Sequence, residues 1–157
     1  MDLLVWRHAE AYDLADNDSS TASDLLRELT PRGTKQAARM AAWLDRQLPD
    51  GTKVYCSPAV RAEQTAKALQ RKYKIRTELS PDATVAQLLE VAQWPHSDST
   101  VLLIGHQPSL GAVVAQLLGL KAQSCSLKKG AVWWLRSRQR EAHQQTVLVT
   151  LQTPEYL

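Results

Sequence analysis

Leu3-Leu4-Val5-Trp6 is a run of four bulky apolar residues, and Arg7-His8 follows it directly. The run reads as a buried strand, which delivers an arginine and a histidine side by side to its carboxyl end. In open α/β sheets, ligands bind outside the carboxyl ends of the strands. A guanidinium beside an imidazole suits phosphate. The arginine forks onto oxygens, and the histidine acts as a nucleophile or proton carrier. Alone, the pair is also what an ordinary surface strand end carries, so partners elsewhere in the chain decide its meaning.

Working outward, residues 9–28 are polar and turn-rich, with Asp13, Asp16, Asp18 and Asp24 among asparagine, serine and threonine. This stretch reads either as a lid or entrance to a site, or as plain disorder. Thr30-Pro31 predicts a helix start, with threonine as N-cap and proline in the first turn. Ala37, Met40, Ala41, Leu44 and Leu48 then share one face at helical spacing. Lys53-Val54-Tyr55-Cys56 is a short second strand. Ser57-Pro58 repeats the cap-plus-proline signal and predicts a helix facing inward through Ala62, Ala66, Leu69 and Tyr73. Arg61 falls in its first turn, where free N–H groups and the helix dipole already favour an anion.

Residues 75–79 read as an edge strand, and Val85, Leu88, Leu89 and Ala92 as an amphipathic helix closed by Trp94-Pro95. Thr100-Val101-Leu102-Leu103-Ile104 reads as a buried strand. It runs through Gly105-His106-Gln107-Pro108-Ser109 into a helix with Leu110, Val113, Val114, Leu117 and Leu118 on one face. A second histidine thus stands at a strand's carboxyl end, after a glycine that permits a tight turn. Residues 131–135 and 146–151 read as a hairpin closing a mixed sheet, with the charged stretch between them as its connection. Alternation places Trp133 and Trp134 on opposite faces, one of them in the core.

The totals fit one domain over residues 1–157, with 44% hydrophobic and 22% charged residues. No apolar run is long enough for a membrane span, and the N-terminus has no basic n-region or cleavage site. Cys56 and Cys125 read as buried thiols in a reducing cytoplasm. No Cys/His spacing calls for a metal, and no cofactor is expected. A net charge of +3 does not require a nucleic-acid partner. The basic runs 71–74 and 136–140 read as a helix end and a hairpin turn. His96 and His143 read as surface residues, and the chain as a monomer.

If the strands are parallel neighbours, Arg7, His8, Arg61 and His106 meet in one electropositive pocket suited to a tetrahedral dianion. His8 would attack phosphorus in line, the arginines would neutralise the phosphoryl oxygens, and His106 would donate to the same oxygens.

These segments resemble the histidine phosphatase superfamily, also called phosphoglycerate mutase-like. Arg7-His8-Ala9 stands for its Arg-His-Gly signature, and residues 29–37 resemble its Leu-Thr-x-x-Gly-x-x-Gln-Ala helix start. Residues 57–65 match its Ser-Pro-x-x-Arg-Ala-x-Gln-Thr segment, and Gly105-His106-Gln107-Pro108 its Gly-His-x-Pro turn. The resemblance implies a three-layer α/β/α sandwich with a mostly parallel mixed sheet. It also implies His8 as nucleophile, with Arg7, Arg61 and His106 completing a phosphate pocket. The short chain is similar to the bacterial phosphohistidine phosphatase branch, which implies hydrolysis of phosphohistidine on a protein such as a histidine phosphotransfer domain. A small-molecule phosphomonoesterase and a non-catalytic phosphoryl-binding module are the alternatives. Ala9 departs from the signature glycine. A carboxylic acid to protonate an alcohol leaving group has no clear counterpart among Glu10, Asp18, Glu63, Glu78 and Asp82.

Overall fold

The apolar run at the N-terminus becomes β1 (Asp2–Arg7), buried on both faces in the middle of a six-stranded sheet. The computed structural model describes residues 1–157. After β1 come α1 (Thr21–Leu25), α2 (Pro31–Gln47), β2 (Lys53–Cys56), α3 (Val60–Lys67) and β3 (Lys74–Ile75). Then follow α4 (Val85–Ala92), β4 (Val101–Gly105), α5 (Ser109–Leu117), β5 (Val132–Arg140) and β6 (His143–Gln152). The strand order is β3-β2-β4-β1-β5-β6. The first four are parallel, and β5 and β6 join antiparallel at one side.

Alternation along the central strands builds two cores. Leu4, Trp6, Val54, Cys56, Leu102 and Ile104 face the side covered by α2 and α3, through Met40, Leu44, Ala62 and Ala66. Leu3, Val5, Val101 and Leu103 face the other side, against Leu88 and Val91 of α4 and Leu110, Val113 and Val114 of α5. The result is the three-layer α/β/α sandwich with a mostly parallel mixed sheet. Trp134 belongs to the first core and Trp133 packs on the second, so both tryptophans are covered, each on its own face.

Register aligns the strand ends. Arg7 pairs with Gly105, and Cys56 with Ile104. The next hydrogen bonds run from His8 N to Gly105 O and from Ser57 N to Ile104 O, each 3.0 Å. His8, Ser57 and His106 therefore leave the sheet side by side.

Helix α2 starts as its sequence predicts, with Thr30 Oγ1 accepting from Gly33 N at 3.0 Å and Pro31 in the first turn. Its first turns also clamp the chain leaving β1. Glu10 N donates to Gln36 Oε1 at 2.9 Å, and a Cβ on Gly33 would collide with the Glu10 carbonyl. Gly33→Ala is expected to destabilise the protein by about 2–3 kcal/mol through this backbone clash. Urea unfolding would measure the loss, and an unchanged midpoint would show that the Ala9–Ala11 segment yields freely.

Several expectations are corrected. Ser57 does not cap α3: the N-cap is Ala59, without a side-chain bond, and Ser57 Oγ accepts from Ala59 N at 3.1 Å. Helix α3 ends at Lys67, so Leu69 and Tyr73 pack from the segment beyond it. Residues 75–79 are not one strand. β3 stops at Ile75 and a 3₁₀ turn over Thr77–Leu79 buries Leu79. The charged stretch 136–140 is strand rather than turn. β5 and β6 pair out to Arg140 and His143, so the chain reverses over Glu141 and Ala142 alone. Arg71 binds Asp45 and the carbonyls of Leu48 and Pro49, where it neutralises the end of α2. Cys56 is buried, whereas Cys125 is half-buried. No helix is long and apolar enough to cross a membrane.

Candidate active site

The aligned ends of β1, β2 and β4 open into a cavity of about 260 Å³. Arg7, His8, Arg61 and His106 all line it, together with Arg27, Lys129 and a single carboxylate, Asp24. A larger groove of about 700 Å³ runs along α2 and the end of α3, lined by alanines with Asp45 and Lys67 as its charged residues and no histidine or arginine. The cluster at the strand ends is the candidate site.

His8 is nearly buried, and its ring geometry fixes its tautomer. Nδ1 lies 2.8 Å from the Ala9 carbonyl, which can only accept, so Nδ1 carries the proton and Nε2 presents its lone pair. Arg61 Nε donates to that Nε2 at 3.3 Å. The Arg61 side chain is 3% exposed and also donates from Nη1 to the Asp24 carbonyl at 2.6 Å and from Nη2 to Asp24 Oδ2 at 3.1 Å. The two histidine rings lie 5.1 Å apart between centroids. His106 Nε2 sits 2.7 Å from Ser57 Oγ. Arg7 donates through Nη1 to Leu127 O at 2.7 Å, while its Nε is buried without a partner.

The rest of the Arg61 segment is anchoring. Thr65 Oγ1 accepts from Ala9 N at 3.1 Å and donates to Arg61 O at 2.8 Å. Gln64 Oε1 accepts from Leu29 N at 2.8 Å. One turn of α3 thus holds both the chain after His8 and the start of the α2 region. Ala9 is fully buried with a negative φ, so the departure from glycine needs no left-handed backbone.

Asp24, Arg27 and Lys129 are cavity residues that sequence reasoning missed. Residues 9–28 carry local structure around one short helix. Ala11 bridges to Leu29, and Ser20 caps α1 by accepting from Ser23 N. That short helix turns Asp24 onto Arg61 and Arg27, the latter at 3.0 Å. The five carboxylates weighed from sequence lie outside the cavity. Glu10 accepts from Thr30, Asp18 from Ser20 N and Glu63 from Tyr73, while Glu78 pairs with Arg76.

Electrostatics follow from burial among cations. Desolvation, then Arg61 and Arg7, lower the His8 pKa to about 3, against the backbone bond to Ala9. Desolvation, then His8 and Arg61, lower His106 to about 2. Burial pushes Asp24 upward, but the guanidiniums of Arg27 and Arg61 outweigh it and hold the carboxyl below its usual range. Both histidines are therefore neutral in the folded protein and take up protons on unfolding once pH falls below about 6.5. Stability is expected to be full above that pH and to fall by about 2 kcal/mol per histidine between pH 7 and pH 5. Urea unfolding at the two pH values, for the wild type and for His8→Asn, would measure it. An identical pH slope in the variant would contradict the neutral buried ring.

Arginines and paired imidazoles around one cavity are chemistry that can hold a tetrahedral dianion. The model of the histidine phosphatase superfamily (branch 1) matches residues 3–84, a stretch that carries Arg7, His8 and Arg61. The chain belongs to that superfamily. Its relatives point to a narrower group. The phosphohistidine phosphatase SixA of Escherichia coli is 31% identical, over 74% of each protein. An uncharacterised protein of Picosynechococcus sp. is 31% identical, covering all of this chain and 99% of that protein. The structure of the protein histidine phosphatase SixA complexed with tungstate superposes with a TM-score of 0.78. It is 25% identical and covers 99% of both chains.

Proposed function

We propose that residues 1–157 form a single-domain phosphohistidine phosphatase with His8 as nucleophile. The observation that carries this reading is the state of the only carboxylate in the cavity. Asp24 is ion-paired with Arg61 and Arg27 and is held in its ionised form. An ionised, paired carboxylate is a poor donor to a departing alkoxide. A phosphoramidate needs less help, because its imidazole leaves as a far more stable base. Likeness to SixA, named for that substrate, supports the same choice.

The reaction divides into two displacements. His8 Nε2 attacks phosphorus, the N–P bond of the substrate phosphohistidine breaks, and the freed imidazole takes its proton from water. The phosphoryl group then rests on His8 Nε2. Arg61 leaves its bond to that nitrogen and, with Arg7, neutralises the three oxygens. Water attacks phosphorus, the phospho-His8 bond breaks, and phosphate departs. A cavity of about 260 Å³ is small, which suits a phosphorylated side chain projecting from a protein surface. The partner is then a phosphohistidine-bearing signalling protein, and the setting the cytoplasm.

Phosphate release from a phosphohistidine protein and from p-nitrophenyl phosphate, measured side by side, tests the reading. Release from the phosphohistidine protein at least about 100-fold faster in kcat/KM supports it. Preference for the ester would keep the pocket and replace the substrate class. Binding of phosphate without turnover of either would make the chain a phosphoryl-binding module.

A further inference from the structure

Ser57 has a hydroxyl that the proposed reaction leaves without a role. The residue is fully buried. Its Oγ accepts from Ala59 N at 3.1 Å and lies 2.7 Å from His106 Nε2. The hydroxyl proton must also go somewhere, because an unmade donor in a dry interior is costly. His106 Nε2 is the one acceptor the structure offers it.

That accounting decides the tautomer of His106. If Ser57 donates to Nε2, the ring proton sits on Nδ1. Nδ1 lies 3.4 Å from Arg61 Nη2, too long for a strong bond, and Nη2 already donates to Asp24 Oδ2 at 3.1 Å, so a proton on Nδ1 costs that guanidinium little and leaves both N–H groups free to converge on a shared acceptor. The acceptor position is beside His8 Nε2, since Arg61 Nε touches that atom at 3.3 Å. A phosphoryl oxygen in transfer to His8 meets both donors there. The opposite tautomer strands the Ser57 hydroxyl and turns a lone pair toward the anion.

Resting on the phosphatase reading of the site, we propose that Ser57 is a positioning residue. Its hydroxyl donates to His106 Nε2 and keeps the Nδ1–H of that ring aimed at the transferring phosphoryl group. Second partners of this kind set which ring nitrogen is protonated, and the wrong tautomer disables the ring even when its position is unchanged. Ser57 itself touches no substrate.

The test uses Ser57→Ala and Ser57→Thr in the full chain. In histidine-labelled protein at pH 7.5, the ¹⁵N resonances of His106 are expected to show a protonated Nδ1 and a bare Nε2. In Ser57→Ala the proton is expected to move to Nε2. The variant's kcat on a phosphohistidine protein is expected to fall by about 100-fold, with KM changed by less than about threefold. Ser57→Thr, which keeps the hydroxyl, is expected to recover most of the rate. Titration with inorganic phosphate gives a readout independent of turnover, and Ser57→Ala should bind it about tenfold more weakly. A protonated Nε2 in the wild type, or full kcat in Ser57→Ala, would overturn the proposal. A wild type inactive on every phosphorylated substrate would overturn the phosphatase reading, and the ring resonances and phosphate titration would still decide the role of Ser57.

Discussion

Replacing His8 with asparagine is expected to lower kcat by at least about 10⁴-fold, because no other side chain in the cavity can take its place as nucleophile. Arginines do not attack phosphorus at neutral pH. His106 has its Nε2 against Ser57. Asparagine is the chosen replacement because it fills part of the ring's space and can still donate to the Ala9 carbonyl. The expected readout has two parts. Wild-type protein quenched during turnover should carry an acid-labile, alkali-stable phosphoryl group on His8, and the variant should carry none. The wild-type acid limb supplies a further check. With its pKa near 3, His8 stays a free base far below the ordinary histidine range. Formation of the labelled enzyme should therefore not slow between pH 7 and pH 5 through protonation of His8. A label on any other residue, or substantial turnover in His8→Asn, would remove His8 from its proposed role.

Much of this site is legible in the sequence because short-range rules place it. β1 and β4 are continuous apolar runs, and only a strand between two cores buries every residue of such a run. Their register then fixes His8 and His106 without further information. Arg61 follows from the start of α3. The segment 29–37 is legible for a similar reason, since its threonine, glycine, glutamine and alanine each meet one local need: cap, close approach, carbonyl acceptor and core. Asp24 was not legible. It reaches Arg61 from 37 residues away through a five-residue helix in a polar run, where periodicity carries no signal. Ser57 was misread because a serine before a proline has the composition of a helix cap. What decides its role is His106, 49 positions further along the chain. The hairpin was shortened in the reading because its outer half pairs in the ladder while facing solvent. Strand pairing there depends on the partner strand rather than on an apolar pattern.

Arg61→Ala is expected to lower kcat/KM by about 10³-fold, and the loss has two separable parts. One is the missing cation. Arg61 stands between the two histidines, reaching His8 at 3.3 Å and His106 at 3.4 Å, and no neighbour can replace a fork in that position. The other is Asp24. In the free site its carboxylate occupies Arg61, so an entering dianion must compete for the same guanidinium. With Arg61 gone, Asp24 keeps Arg27 but presents an undercompensated negative charge to the phosphoryl group. Asp24→Asn should therefore act in opposite senses on the two steps of an encounter. In the wild-type background it should tighten inhibition by inorganic phosphate about tenfold, since Arg61 no longer has a resident partner. In the Arg61→Ala background it should recover about tenfold in kcat/KM by removing a like charge from the dianion's path. A double-mutant cycle on kcat/KM, run beside phosphate inhibition constants, measures both. Asp24 as a plain structural brace predicts the reverse. Losing it would weaken phosphate binding, and the second substitution would add to the damage of the first.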